Sequence, residues 1–375
     1  MVRVAINGFG RIGRLAFRVG LLRHLKEMEL AAINTSGSME VEGWAHLTNY
    51  DTTYREFRYK VGSLKVRSVK EATDKDPLIG YLTVEELGLK VPVLAQRDPE
   101  KIPWAEYGVD VVIESTGHFA TEEGALKHAM AGARRVVISA PVKGGNVPTY
   151  VLGVNEPQSL ASGWPVVISN ASCTTNNASP VAAVMVENFG IMKALMTTVH
   201  AYTDDQNLQD GSHKDLRRAR AAAVNIVPTT TGAAAATTET IPALKGLFDG
   251  VSLRVPVVTG SISDFVFVTR RQVTVEEVNG AFVRAAATPA YKRVLRTTSE
   301  PLVSSDVVGS DFSAIVDLTF TQVVGGDLVK VLAWYDNEWG YTNRLVEQVI
   351  RVGESVETRA LTDPITEKFL VKADH

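Results

Sequence analysis

The chain has one cysteine in 375 residues, Cys173. That scarcity excludes an internal disulfide framework and any zinc site built from several thiolates. It also has no apolar run near the roughly 20 residues needed to cross a bilayer, so no membrane partner is expected. Neither charge sign dominates: 39 Lys and Arg stand against 42 Asp and Glu, a formal net charge of −3. Such a balance gives no electrostatic reason to expect nucleic acid. Internal repeats and low-complexity stretches are missing as well, which removes solenoid and linker readings. What is left, 45% hydrophobic and 22% charged, is an ordinary globular composition, long enough for two domains. Met1 to Asn7 moves straight into a strand-like pattern without a charged-then-apolar leader, so the cytoplasm is the default location.

What is present has a clear order. Val2 to Asn7 reads as a buried strand, Ile12, Leu15, Ala16, Val19 and Leu22 recur at helical spacing, and Leu30 to Asn34 reads as a second strand. Further strand-like runs at Asp110 to Glu114, Arg135 to Ser139, Tyr150 to Val154 and Val166 to Ser169 argue for a mostly parallel, doubly wound α/β sheet. The second half carries longer strands at Ala194 to His200, Val251 to Val255, Asp264 to Thr269, Ala314 to Phe320 and Leu328 to Trp334. Thr274-Val275-Glu276-Glu277 is a capping box among them, so an α+β domain with an antiparallel or mixed sheet is expected. The segment from Tyr341 to about Val352 is expected to form a helix that packs back on the first domain. Ser68 to Pro77 reads as a surface insertion.

Gly8-Phe9-Gly10-Arg11-Ile12-Gly13 sits between the first strand and the first helix, the context in which a G-x-G-x-x-G motif binds a dinucleotide. Glycines let the backbone turn tightly and approach a pyrophosphate, and the helix N-terminus offers unpaired N–H groups to its charge. After the second strand an acid normally holds the ribose 2′-hydroxyl. Here the segment is Asn34-Thr35-Ser36-Gly37-Ser38, which permits the 2′-phosphate of NADP but supplies no nearby arginine, and Glu40 and Glu42 follow.

Ser172-Cys173-Thr174-Thr175-Asn176-Asn177 follows a strand and reads as a helix start. A thiol there is expected to have its thiolate stabilised by the helix dipole. His200 closes another strand and, if it lies beside Cys173, can take the thiol proton.

Together, Asn7 to Gly13, Ser115-Thr116-Gly117, Ser172 to Asn176, Leu253-Arg254-Val255-Pro256 and Trp334-Tyr335-Asp336-Asn337-Glu338 resemble the phosphorylating glyceraldehyde-3-phosphate dehydrogenases in order and spacing, from Val2 to about Val346. The resemblance implies a Rossmann dinucleotide-binding domain over 1–172 and 337–375, and a catalytic α+β domain over 173–336. It implies that Cys173 attacks the aldehyde of glyceraldehyde 3-phosphate, that His200 activates the thiol, and that inorganic phosphate releases 1,3-bisphosphoglycerate from a thioester. The cofactor would be held by Gly8, Gly10, Arg11, Ile12, Gly13, Asn34, Thr35, Ser36, Ser115, Thr116, Gly117 and Ser139. Arg97 would lie near the adenine and Asn337 on the nicotinamide carboxamide. Thr203, Asp205 and Arg254 would bind the substrate phosphate, and Ser172, Thr174, Thr231, Gly232 and Arg218 the inorganic phosphate, arginine suiting both through its planar fork. No metal is implied.

Three departures refine this. Thr35 stands where NAD-specific members carry aspartate. Gly211-Ser212 stands where they commonly have Leu-Pro, and that serine would reach the 2′-phosphate of a cofactor on a neighbouring subunit, implying a homotetramer. Both favour NADP, with NAD also accepted. Asn177 replaces a second cysteine common in the family, so Cys173 has no resolving thiol nearby. Competing readings are an erythrose-4-phosphate dehydrogenase, separable by phosphate dependence, and a catalytically silent nucleotide-binding scaffold.

Overall fold

The structure, a computed structural model, describes residues 1–156 and 163–360, with side chains described through 355. The end of the expected first domain, 361–375, lies outside the described residues, as does 157–162. Its helices are α1 (Arg11–Arg23), α2 (Val41–Asn49), α3 (Glu122–Met130), α4 (Cys173–Phe189), α5 (Ala233–Thr240), α6 (Val275–Ala286) and α7 (Trp339–Ala360).

The strands of the first half are β1 (Val2–Asn7), β2 (Met28–Thr35), the hairpin pair β3 (Tyr50–Asp51) and β4 (Arg55–Glu56), β5 (Gly62–Lys65), β6 (Leu78–Val84), β7 (Leu89–Ala95), β8 (Val111–Glu114), β9 (Arg135–Ile138) and β10 (Val167–Ser169). Apart from the hairpin they form one sheet in the order β10-β9-β8-β1-β2-β7-β6-β5. Pairing is parallel from β10 to β7 and antiparallel beyond it. Alternation along β1 explains why both faces are covered. Val4 and Ile6 belong to a core shared with α1, α2 and α7, whereas Ala5 joins Trp104 and Ala125 of α3 in a core on the other face.

The second half gives β11 (Ile191–Ala201), β12 (Val227–Thr230), β13 (Phe248–Val255), β14 (Ser261–Thr269), β15 (Leu295–Thr298), β16 (Ala314–Val324) and β17 (Leu328–Tyr335). They form a mixed sheet in the order β12-β13-β11-β14-β17-β16-β15, with β11–β13 and β15–β16 parallel. One face packs on α4, α5 and α6, with Phe265 and Phe267 stacked at 5.8 Å inside that core. The expected capping box at Thr274 and Glu277 starts α6.

Several expectations need correction. Tyr150 to Val154 is a turn, joined to the sheet only by a bridge from Thr149 to Ser169. Asn155 is the cause: its side chain accepts from Val151 N–H and donates to the Thr149 carbonyl, each at 2.8 Å, so a local polar group outcompetes the strand ladder. The surface insertion expected over Ser68 to Pro77 needs no change, since β6 begins at Leu78 and its Ile79 is fully buried. The last helix begins at Trp339, earlier than Tyr341, and packs on α1, β1, β8 and β9. Among the described residues no helix is long and apolar enough to cross a membrane.

Two sets of strand ends therefore converge on the candidate site residues. β1, β2 and β8 end beside the glycine loop, and β10, β11 and β13 end beside the start of α4.

Candidate active site

Glycine is required at two points of the first loop. Gly8 has φ +95°, and a Cβ there would lie 2.7 Å from Thr116 N. A Cβ on Gly13 would lie 2.1 Å from the Gly8 carbonyl oxygen, so only glycine lets α1 start against the strand. The resulting cleft, about 510 Å³, is lined by the expected Gly8, Gly10, Asn34, Thr35, Ser36, Arg97, Ser115 and Thr116. Phe9 and Ser38 of the quoted segments also line it, as do Trp44, Gln96, His118 and Phe119, which the sequence did not assign to the site. Beneath it, Glu114 accepts hydrogen bonds from Asn7 Nδ2 at 2.5 Å and Thr116 N at 2.8 Å, fixing the two loops against each other.

Of the other expected cofactor residues, Ile12, Gly13, Gly117, Ser139 and Asn337 do not line this cleft, although Gly13 packs against Gly8, and Ser212 is exposed. The Arg11 guanidinium turns away, pairing with Asp51 and with both oxygens of Glu338, so any part it plays falls to its backbone. Asn337 Oδ1 accepts from Gly260 N–H at 3.1 Å and Ser261 Oγ at 2.9 Å, which leaves its NH₂ as the group free to donate. The absence of an arginine near the ribose position is also overturned. Arg97 Nε donates to the Ser36 carbonyl at 3.2 Å, a proximity that the sequence separation concealed.

Cys173 is delivered by a strained turn. Ala171 has φ +57°, unusual for a residue with a Cβ, and is held there by Ser169 Oγ on its N–H and by the Tyr341 hydroxyl on its carbonyl. Ser172 then caps α4 by accepting from Thr175 N–H at 3.0 Å, and Cys173 is the first helical residue. Its Sγ lies 3.4 Å from His200 Nε2. The imidazole tautomer follows from its other nitrogen. Nδ1 lies 2.6 Å from the Ala201 carbonyl, so it carries the proton and Nε2 presents a lone pair to the thiol.

Burial pushes the Cys173 thiol up, against the pull of the Arg254 cation and of hydrogen bonds from Thr174. This reverses the expected lowering: the residue is partly exposed, but its sulfur lies among Tyr335, Tyr341 and the α4 backbone. Burial also pushes the His200 imidazolium down to about 3, with Arg254 adding to the effect. Sγ and Nε2 therefore face each other at hydrogen-bond distance. Tyr335, which no motif singled out as functional, links Thr174 Oγ1 at 3.0 Å and Thr198 Oγ1 at 2.8 Å in a hydroxyl chain below the sulfur.

The expected anion ligands form two knots. Arg254 Nη1 donates to Thr203 Oγ1 at 3.2 Å and lies 3.1 Å from His200 Nδ1, its partner across β11 and β13. Arg218 donates through Nε to Thr229 at 3.0 Å and through Nη2 to the Thr230 carbonyl at 3.3 Å. It also pairs with Asp205, so a residue assigned to one phosphate is bound to a residue assigned to the other. Gly232 caps α5 with open space around it, and no hydrogen bond joins Thr231 or Gly232 to Cys173.

A cleft at the switch of a parallel sheet, in a chain that also holds a cysteine–histidine pair in contact with an arginine, fits a nicotinamide-dependent oxidoreductase. Sequence comparison gives the family. The family model described as glyceraldehyde 3-phosphate dehydrogenase, NAD binding domain, matches residues 2–122, and the model for its C-terminal domain matches 172–337. A glyceraldehyde-3-phosphate dehydrogenase of Streptomyces coelicolor is 49% identical, covering 95% of this chain and 99% of its own. The chloroplastic glyceraldehyde-3-phosphate dehydrogenase B of Pisum sativum is 48% identical over 92% of this chain and 73% of its own. Glyceraldehyde-3-phosphate dehydrogenase 2 of Synechocystis sp. is 48% identical over 92% and 97%. The chain belongs to the glyceraldehyde-3-phosphate dehydrogenase family.

Proposed function

We propose that the protein oxidises glyceraldehyde 3-phosphate to 1,3-bisphosphoglycerate, reversibly, through a thioester on Cys173. The observation that carries this is the 3.4 Å approach of Cys173 Sγ to a His200 nitrogen whose tautomer is fixed for proton acceptance. His200 Nε2 takes the thiol proton as sulfur adds to the aldehyde carbon, and the ring returns that proton to the oxyanion of the thiohemiacetal. The residues of the cleft fit a nicotinamide dinucleotide, with open space at Gly10 for its pyrophosphate, and the Asn337 NH₂, outside the cleft, would meet its carboxamide. When bound, that cofactor supplies a hydride acceptor. Arg254 with Thr203 orients the substrate phosphate, and Ser172, Thr174, Arg218, Thr231 and Gly232 receive the attacking phosphate. The test is reduced-cofactor formation from glyceraldehyde 3-phosphate with and without inorganic phosphate. Multiple turnovers should need phosphate, and phosphate-independent turnover would instead favour the erythrose-4-phosphate reaction.

The reading includes NADP as the preferred cofactor, with NAD accepted. Thr35 brings no carboxylate, Arg97 stands beside Ser36, and Glu40 is occupied by Val69 N–H at 3.1 Å and by Lys65 at 3.2 Å. Arg97→Gln should therefore lower kcat/KM for NADP by about 10-fold or more, the worth of a charge-assisted hydrogen bond, with little change for NAD. Equal losses with both cofactors would remove the preference.

A division of labour follows, with 1–172 and 337–375 holding the dinucleotide and 173–336 performing acyl chemistry. Assembly as a homotetramer belongs to the same reading. Leu208 and Leu216, each 81% exposed, lie on the loop that carries Ser212, and Leu195 and Val251 lie exposed on the open face of the second sheet. Apolar surface on that scale suits burial against further copies, which analytical ultracentrifugation tests. A cytoplasmic location is part of the proposal and is tested by fractionation.

A further inference from the structure

The insertion from Ser68 to Pro77 lies against the rim of the dinucleotide cleft at two points. On one side the Val69 N–H donates to both oxygens of Glu40, at 3.1 and 3.2 Å, and Lys65 pairs with the same carboxylate at 3.2 Å. Val69 also packs over Gly37, where a Cβ would come within 3.0 Å of its Cγ1. On the other side Asp74 accepts from Gln96 Nε2 at 3.2 Å and pairs with Lys101 at 2.6 Å. Gln96 is 6% exposed and lines the cleft. Lys101 and Gln96 hold the Asp74 carboxyl below its usual range, so it is charged at neutral pH. Arg97 joins the two sides, following Gln96 in the chain and donating to the Ser36 carbonyl at 3.2 Å. It has no carboxylate partner among the described residues. The two carboxylates that the insertion fastens at the rim are thus each matched with a lysine, and the guanidinium beside them is left over.

We propose that this insertion is a cofactor-selectivity element: by fastening Glu40 and Asp74 into ion pairs with Lys65 and Lys101, it leaves Arg97 uncompensated for the 2′-phosphate of NADP. The inference rests on the proposed use of NADP and adds the residues that make the rim tolerate its extra charge. Asp74 anchors the insertion on Gln96, and Lys101 cancels the charge that this anchor brings. A bare carboxylate beside a bound phosphate would repel it, and a neutral pair does not. The ribose 2′-hydroxyl of NAD carries no charge, so the same rim is indifferent to it. Both pairs are about half-exposed, which keeps each contribution modest and sensitive to salt.

Lys101→Met leaves Asp74 unmatched and should lower kcat/KM for NADP about fivefold at low ionic strength, with less than about a twofold change for NAD. Lys65→Met should act in the same direction through Glu40. Asp74→Asn keeps an oxygen for Gln96 and leaves Lys101 unmatched, so it should favour NADP instead. The double variant Lys101→Met, Asp74→Asn should return the native ratio of the two cofactors, and about 0.5 M potassium chloride should erase the single-variant differences. An insertion that merely held the cleft in shape would change both cofactors alike and ignore salt. Equal changes for NAD and NADP, losses that survive the salt, or an unchanged ratio in both lysine variants overturn the element. Native protein is assayed in parallel with glyceraldehyde 3-phosphate and phosphate. Turnover with NAD and none with NADP removes the cofactor reading itself, whereas native NADP turnover with unaltered ratios in the lysine variants rejects only the selectivity element.

Discussion

Cys173→Ser should bind NADP as the native protein does and yet lose turnover by on the order of 10⁴-fold or more. The two halves of this expectation rest on different parts of the structure. Ser172 caps α4 and Ala171 makes the turn, so exchanging sulfur for oxygen at the next residue leaves the helix start intact. The cleft around Gly8 and Thr116 is built from β1 and β8 and does not draw on Cys173. Chemistry is affected more severely. A serine hydroxyl is far harder to ionise than even a buried thiol, and an ester holds its acyl group too firmly for phosphate to displace it readily. Titration of bound cofactor and stopped-flow reduction measure the two halves separately. Intact mass spectrometry adds a third reading: the native protein, given substrate and oxidised cofactor without phosphate, should gain one acyl group, and the variant none. Substantial turnover in the variant would mean that the nucleophile lies elsewhere.

How much of this was legible in the sequence depended on whether the cause was local. Gly8 and Gly13 were readable because a tight turn between strand and helix demands glycine at that spacing, and Cys173 was readable from the cap sequence around it. The long strands β11, β14 and β17 were also readable, since alternating burial marks each of them. What could not be read came from residues far apart in the chain. Arg97 meets Ser36 only because β7 pairs with β2. Tyr335 reaches Thr174 and Thr198 only because β17 and β11 flank β14 and α4 starts above them. The positive φ of Ala171 has no signal at all in its residue type, because surrounding hydrogen bonds impose it. Tyr150 to Val154 failed for the reverse reason: an apolar pattern suggested a strand, and the side chain of Asn155 had the stronger claim on the backbone. The thiol's expected lowering failed because helix position is a local property and burial is not.

His200→Asn is the second substitution with a large effect, and its pH behaviour distinguishes a base from a structural ring. Loss of the proton acceptor should reduce first-turnover reduction by about 10²- to 10⁴-fold. Asparagine can still satisfy the Ala201 carbonyl, so the turn after β11 should survive. The stability linkage runs in a defined direction. A folded-state value of about 3 against an ordinary 6.5 means that the unfolded chain binds a proton here while the native protein does not. Native stability from this site is therefore complete above pH 6.5 and drains away as pH falls toward about 3. Asparagine has no such proton to bind. The difference in urea midpoint between native protein and variant should consequently be flat at neutral pH and move in the variant's favour on acidification. Cys173 alkylation should show the catalytic side of the same change: in the variant it should follow hydroxide concentration alone. A stability difference that stays constant from pH 7 to pH 4, in a variant that keeps its reactivity, would place the proton acceptor for Cys173 on another group.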